Sequence, residues 1–129
     1  MAISRWIWHV PVWVVWYCCG RTMPVAFTDV TADMALPAAV TDAPYTGVWT
    51  ADIDLEGDLD LVLGTPEGQP LILRNNGDGT FTDLRLFDRV AGLRAFAWGD
   101  VDADGVPDAV LLDATGTLHV YANQRAGQF

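Results

Sequence analysis

Two short segments of the chain place carboxylates at alternate positions around a central glycine. Residues 52–60 have the sequence D-I-D-L-E-G-D-L-D, and residues 100–108 have the sequence D-V-D-A-D-G-V-P-D. Alternate carboxylates on a tightly turning loop point inward together, and a glycine at the sixth position permits the turn. Such carboxylates repel one another unless a cation neutralises them or some become protonated. A solvated acidic turn is the alternative, and the regular spacing favours a cation site over it.

The ligand chemistry of both segments favours Ca²⁺. Neither segment contains Cys or His, and oxygen-only ligands favour hard cations over transition metals. A flexible set that includes a backbone carbonyl suits Ca²⁺ better than octahedral Mg²⁺. An EF-hand requires a bidentate Glu at position 12 between two helices, and position 12 is here Leu63 or Leu111. We therefore predict two calcium loops of the β-hairpin kind.

The predicted ligands alternate along each loop, and position 7 contributes its backbone carbonyl. They are Asp52, Asp54, Glu56, Asp58 and Asp60 in the first loop, and Asp100, Asp102, Asp104, Val106 and Asp108 in the second. Glu56 gives the first loop one longer arm, whereas the second loop offers four carboxylates of matched reach. We expect the second loop to bind the ion more tightly.

The charge of the chain is concentrated in these loops. The formal net charge is -10, and nine of the seventeen acidic residues lie in the two segments. All seven basic residues are Arg. Binding to phosphates needs a basic face, so nucleic acid is not an expected partner.

The two loops belong to a longer repeat with a period of 48 residues, which also superposes Asn75 on Asn123 and Phe81 on Phe129. Short β-rich apolar runs, separated by Gly, Pro, Asn and Asp, predict four strands in each unit. The predicted strands are residues 48–51, 60–63, 71–74 and 80–84, then 95–99, 108–112, 118–122 and 128–129. Four strands in about 48 residues match one propeller blade. The predicted fold is all-β, with about two four-stranded antiparallel blades of a partial β-propeller.

This pattern divides the chain into four segments. Residues 1–22 are a hydrophobic leader, and residues 23–46 are the end of a preceding blade and a linker. Residues 47–94 form one blade, and residues 95–129 form a second, truncated one. Two blades are fewer than the roughly 4 to 8 of a closed propeller, so we expect exposed faces and association. The residues expected on those faces are Trp49, Trp98, Leu71 and Val120.

The leader contains an apolar run of fourteen residues, 6–19. A membrane span needs about 17 to 25 residues, so the run is more typical of a secretory signal or a crude membrane anchor. A fragmentary start is the alternative. Both cysteines, Cys18 and Cys19, lie in this leader and say little about the redox compartment. The leader predicts an extracytoplasmic location, with membrane contact only through an N-terminal anchor.

Three segments, W-G-D-V-D-A-D-G-V-P-D-A-V, L-R-N-N-G-D-G-T-F-T-D-L and F-T-D-V-T-A, are similar to the FG-GAP/VCBS repeats of integrin α-like propellers. The last two also resemble the cartilage-acidic-protein (ASPIC/UnbV-like) group. The resemblance covers residues 27–129 and implies a bladed propeller with Ca²⁺ between the first two strands of each blade. In integrin α-chains this loop lies on the face opposite the usual ligand surface. The sequence departs from the family in its length, in Glu56 and in the weak final turn at residues 124–126.

The composition argues against an enzyme. After the leader the chain has no Ser, Cys or Lys, and its one His is His119, which removes most pairings of a nucleophile with a base. We therefore expect a non-enzymatic, Ca²⁺-stabilised module for interaction or adhesion, whose partners are further blades, another protein or a glycan. The alternative is a fragment of a larger propeller enzyme, such as a polysaccharide lyase, with catalytic residues outside this chain.

Overall fold

A computed structural model of the protein describes residues 25–125 and 128–129, so the predicted leader and its cysteines lie outside the described part. The described chain forms two antiparallel sheets. The first contains β1 (Gly47–Ala51), β2 (Asp60–Gly64), β3 (Leu71–Asn75) and β4 (Phe81–Leu84). The second contains β5 (Ala95–Gly99), β6 (Asp108–Leu112) and β7 (Leu118–Tyr121). Neighbours in sequence are neighbours in each sheet, so both are simple meanders.

The prediction of an all-β fold built from blade-like sheets is confirmed. Each of the seven strands begins and ends within one residue of its predicted bounds. The predicted strand at residues 128–129 is wrong, because this segment is not strand. The Phe129 ring instead packs against the rings of Phe87 and Trp98, with centroids 5.2 and 6.1 Å away.

Alternation along the strands decides which side chains enter the core between the two sheets. Trp49, Val62 and Ile72 are cross-strand neighbours and therefore share one face of the first sheet. Phe96 and Leu111 pair in the same way on the second sheet. These faces enclose one apolar cluster together with three buried residues of the connection between the sheets, Phe87, Val90 and Leu93. Trp49 and Trp98 both pack against this cluster, so they are packing residues between the blades.

The opposite face of the first sheet is covered by the segment that precedes β1. Leu63, Leu71 and Leu73 form a second buried cluster with Val40 of the short helix α1 (Ala38–Thr41), and Leu36 and Tyr45 pack against it. A 3-10 helix (Thr31–Met34) lies just upstream of α1. Leu71 is therefore buried, and the expectation that it is exposed was wrong.

The opposite face of the second sheet has no such cover among the described residues. Leu118 and Val120 are 64% and 55% exposed, as expected for Val120. The outer edge of β7 likewise pairs with no strand of the described chain. None of the described helices is long and apolar enough to cross a membrane.

Candidate metal centre

Each acidic loop gathers three carboxylates around one point. In the first loop, Asp52, Asp54 and Asp60 each place a carboxylate oxygen within 4.8 Å of the others. The second loop does the same with Asp100, Asp102 and Asp108, each 48 positions further along the chain. Both loops connect the first strand of a sheet to the second, which is where the family resemblance places an ion. The two triads are therefore equivalent in sequence and in structure.

A backbone N–H group fixes the first carboxylate of each triad. The Gly57 N–H donates to Asp52 Oδ2 at 3.0 Å, and the Gly105 N–H donates to Asp100 Oδ2 at the same distance. Gly57 and Gly105 have φ values of 98° and 86°, which side chains disfavour. The glycine at position 6 thus allows the loop to curl around its first aspartate, as the spacing predicted.

The third carboxylate of each triad is buried and joins three pieces of backbone. Asp60 is 1% exposed, and its two oxygens accept hydrogen bonds of 2.8 Å from the N–H groups of Ile53 and Asn75. Asp108, also 1% exposed, accepts from Val101 and Asn123 at 2.9 Å. This residue therefore ties the start of the loop to the start of the second strand and to the end of the third.

The environments of these two buried carboxylates shift their pKa values in opposite directions. Burial raises the pKa of Asp60, its two backbone hydrogen bonds act the other way, and the nearby Asp54 and Asp52 raise it further. The hydrogen bonds from Asn123 and Val101 lower the pKa of Asp108. The Asp60 carboxyl is therefore harder to ionise than the Asp108 carboxyl.

Two of the predicted carboxylate ligands, Glu56 and Asp104, lie outside the two triads, whereas the backbone carbonyls of Asp58 and Val106 stay predicted ligands. Glu56 and Asp58 are exposed, and Asp58 lies beside Gly77 of the neighbouring turn, where an added Cβ would be 3.1 Å from Asp58 Oδ2. The Asp104 carboxylate instead accepts a hydrogen bond of 2.8 Å from the N–H of Val106, whose side chain is buried. Each loop therefore gathers three carboxylates. The second loop does not gather the four carboxylates of matched reach on which its predicted tighter binding rested.

Burial separates the two triads. Asp52 and Asp54 are half-buried, whereas Asp100 and Asp102 are exposed. Asp52 Oδ1 and Asp54 Oδ2 are moreover buried oxygens that accept no hydrogen bond. Buried polar atoms without a partner are rare, because desolvation without a hydrogen bond is costly. An oxygen-ligated cation would satisfy both atoms, so the residues present fit Ca²⁺.

Two features of the loops were missed in the sequence. Asn75 and Asn123 supply the N–H that binds the buried aspartate, and their oxygens cap the following turn by accepting from Gly77 and Arg125 at 2.9 Å. Their coincidence in the 48-residue register was the available signal. The fourth loop residue, Leu55 or Ala103, has a φ of 63° in both copies, and no residue type at that position indicated it.

A second polar cluster lies in the turn between β6 and β7. Asp113 accepts hydrogen bonds from the N–H groups of Thr115 and Thr117 at 2.9 Å, and His119 Nε2 lies 3.0 Å from Asp113 Oδ2. The hydrogen bonds from His119 and then Thr115 hold the pKa of Asp113 well below its usual range. The carboxylate is thus occupied in closing a tight turn.

Comparison with known families agrees with this geometry. The sequence profile of the FG-GAP-like repeat matches residues 52–111, a segment that begins on the first acidic loop and contains the whole of the second. No curated protein and no solved structure matches the chain. The predicted resemblance to FG-GAP/VCBS repeats is confirmed for this segment.

Proposed function

Since residues 52–111 form an FG-GAP-like repeat, we propose that this protein is a calcium-binding, non-enzymatic module of an extracytoplasmic β-propeller that serves protein or carbohydrate interaction. The observation that carries the calcium assignment is the repeated carboxylate triad, because two loops 48 residues apart converge on the same arrangement. The unpartnered oxygens of Asp52 and Asp54 give independent support.

The proposed ion would be held in the first loop by Asp52, Asp54 and Asp60, and in the second by Asp100, Asp102 and Asp108. Its role is structural. It offsets the mutual repulsion of three carboxylates that the fold forces together. A ligand that binds only the folded chain also stabilises it by mass action. Calcium should therefore hold each sheet in its blade geometry.

A non-enzymatic role is supported by what the described polar side chains already do. The acidic triads gather carboxylates that suit a metal ion, and the Asp113–His119 pair closes a turn. A general base must reach a substrate proton, whereas both Asp113 oxygens are engaged by neighbouring groups. We propose that neither cluster has a catalytic role.

The proposed location and partners follow from the chemistry of the surface. Calcium sites with few charged ligands suit compartments where the ion is abundant, and extracellular modules bind it with dissociation constants of about 10⁻⁴ to 10⁻³ M. The exposed face of the second sheet, with Leu118 and Val120, is a surface for a further blade or another protein. A glycan is the other proposed partner, and membrane contact would occur only through the leader.

Isothermal titration of the full chain after EDTA treatment tests the calcium proposal. We expect two binding events with Ca²⁺ and much weaker heats with Mg²⁺. Asp54→Ala should remove one event and Asp102→Ala the other, while the double variant should bind none. Asp83→Ala, on an exposed strand position outside both loops, is the matched control and should keep both events. The absence of heat from the unsubstituted chain would overturn the calcium assignment.

A further inference from the structure

A small cavity lies beneath the first acidic loop. Its volume is about 70 Å³, and its polar walls are Asp54, Asp60 and Arg74, while the rest of its lining is apolar. The cavity therefore brings one cationic side chain against two members of the carboxylate triad.

Unpaired hydrogen-bonding atoms occur on both sides of this cavity. Arg74 Nε and Asp54 Oδ2 are both buried, and neither has a hydrogen-bond partner. The Arg74 Nη2 group donates to Asn76 Oδ1 at 3.3 Å, which anchors the outer end of the guanidinium on the turn after β3. The donor and the acceptor do not bond to each other directly. A cavity of this volume accommodates one or two water molecules, each of which occupies about 30 Å³ in the liquid.

The second loop lacks a cationic residue at the equivalent position. The position 48 residues after Arg74 is Ala122, which is exposed at the end of β7. The buried aspartates otherwise correspond, because Asp60 and Asp108 each accept a hydrogen bond from an Asn at the end of the third strand or just after it. Arg74 is therefore a specific difference between two sites that are built alike.

We propose that Arg74 is a built-in countercharge of the first loop, which acts on Asp54 and Asp60 across the water-sized cavity and makes this loop the weaker and less calcium-dependent of the two sites. The cationic guanidinium offsets part of the repulsion within the triad when no calcium is bound. The same charge repels an arriving divalent cation. This inference rests on the proposed calcium function for its second part only, because the first part concerns the metal-free chain.

A countercharge stabilises the metal-free chain but weakens calcium binding. These opposite effects distinguish it from a residue that only packs. Arg74→Met keeps most of the side-chain length and removes the charge. We expect it to lower the melting temperature in EDTA and to tighten calcium binding by the first loop about tenfold, the scale of one unit charge acting on a nearby divalent ion. A side chain that only packs would, when truncated, destabilise the fold and weaken calcium binding together.

The titration is done in the Asp102→Ala background, so that the first loop gives the heat. Arg74→Lys retains the charge and should keep the affinity of the unsubstituted first loop. If Arg74→Met and Arg74→Lys both leave the calcium affinity of the first loop unchanged, or if both weaken it, the proposal is overturned. High salt should shrink the difference between the Met and Lys variants.

Failure of the calcium assignment would be recognised separately. If the chain binds no calcium at all, the melting temperature in EDTA still reports on the countercharge, and Arg74→Met must then be less stable than Arg74→Lys. If calcium binds and the two variants melt and titrate alike, the countercharge is refuted while the calcium function stands.

Discussion

Replacing Asp60 by Ala should destabilise the chain even when no calcium is present. Asp60 belongs to the first triad, and both of its carboxylate oxygens accept hydrogen bonds from the backbone. The donors are the N–H groups of Ile53 and Asn75. The side chain is 1% exposed, so water cannot easily replace the lost acceptor. The effect therefore belongs to the fold itself and not to the ion.

The magnitude follows from the two donors left without a partner. A buried donor that loses its acceptor costs about 1 to 3 kcal/mol, so two donors give a loss of roughly 2 to 6 kcal/mol. Removal of a buried carboxylate near Asp52 and Asp54 offsets part of this loss, since burial and these neighbours raise the pKa of Asp60. We expect the lower half of that range. Asp60→Asn retains one acceptor oxygen and should fall between Ala and the unsubstituted chain.

The assay is urea unfolding in EDTA, followed by circular dichroism of the sheets, with Asp52→Ala as the matched control. Asp52 belongs to the same triad, but its Oδ2 accepts from Gly57 on an exposed loop. We expect Asp52→Ala to change the free energy of unfolding in EDTA by less than about 1 kcal/mol, because water can solvate an exposed N–H. Equal effects of the two variants would refute the division between a buried tie and an ion ligand.

Three further outcomes follow from the same contacts. At a calcium concentration one hundred times the dissociation constant, each site should add about 2.7 kcal/mol to the free energy of unfolding; a melting temperature that millimolar calcium leaves unchanged would contradict calcium-dependent stability. Asp113→Asn tests the lowered pKa of Asp113. The ionised Asp113 contributes to the free energy of unfolding above its pKa in the unfolded chain, and this contribution is lost as pH falls through its pKa in the folded chain. The stability difference between this variant and the unsubstituted chain in EDTA should therefore narrow as pH falls from about 5 to 2, and a gap that widens would refute the sign. Ala103→Gly should raise the free energy of unfolding by about 0.5 to 1 kcal/mol in urea, because Ala103 has a φ of 63°, and a loss of stability would show that this backbone conformation is not strained.

The sequence predicted the strands well because its apolar runs are short and separated by residues that favour turns. The bounds of β5 and β6 were predicted to the residue, and those of the other strands within one. The acidic loops were predictable for a related reason, since the spacing of Asp around Gly57 and Gly105 directly reflects the backbone path. The spacing of apolar and acidic residues in the sequence thus predicts the fold and the positions of both triads.

The roles within each loop could not be predicted from spacing. Asp58 and Asp60 are both acidic residues near the end of the first loop, yet one is exposed and the other is buried. Asp60 accepts a hydrogen bond from Asn75, which is 15 positions away along the chain and is brought close only when β3 pairs with β2. The cover of Leu71 by α1 was likewise unpredictable, because four helical residues leave no periodic signal.

These contacts connect ion binding to the pairing of strands. In each loop the buried aspartate accepts one hydrogen bond from a residue at the start of the loop, and a second from a residue at the end of the third strand or soon after it. A cation held by the triad would therefore act on both of these connections. In the first sheet β3 is also held from outside by β4, whereas the outer edge of β7 has no partner strand in the described chain. The hydrogen bond from Asn123 to Asp108 therefore carries more of the anchoring of the last strand than its counterpart from Asn75 does. Removal of calcium from both loops should therefore loosen β7 in the second sheet before it loosens β3 in the first, because β3 has β4 as an outer neighbour and β7 has no outer neighbour in the described chain.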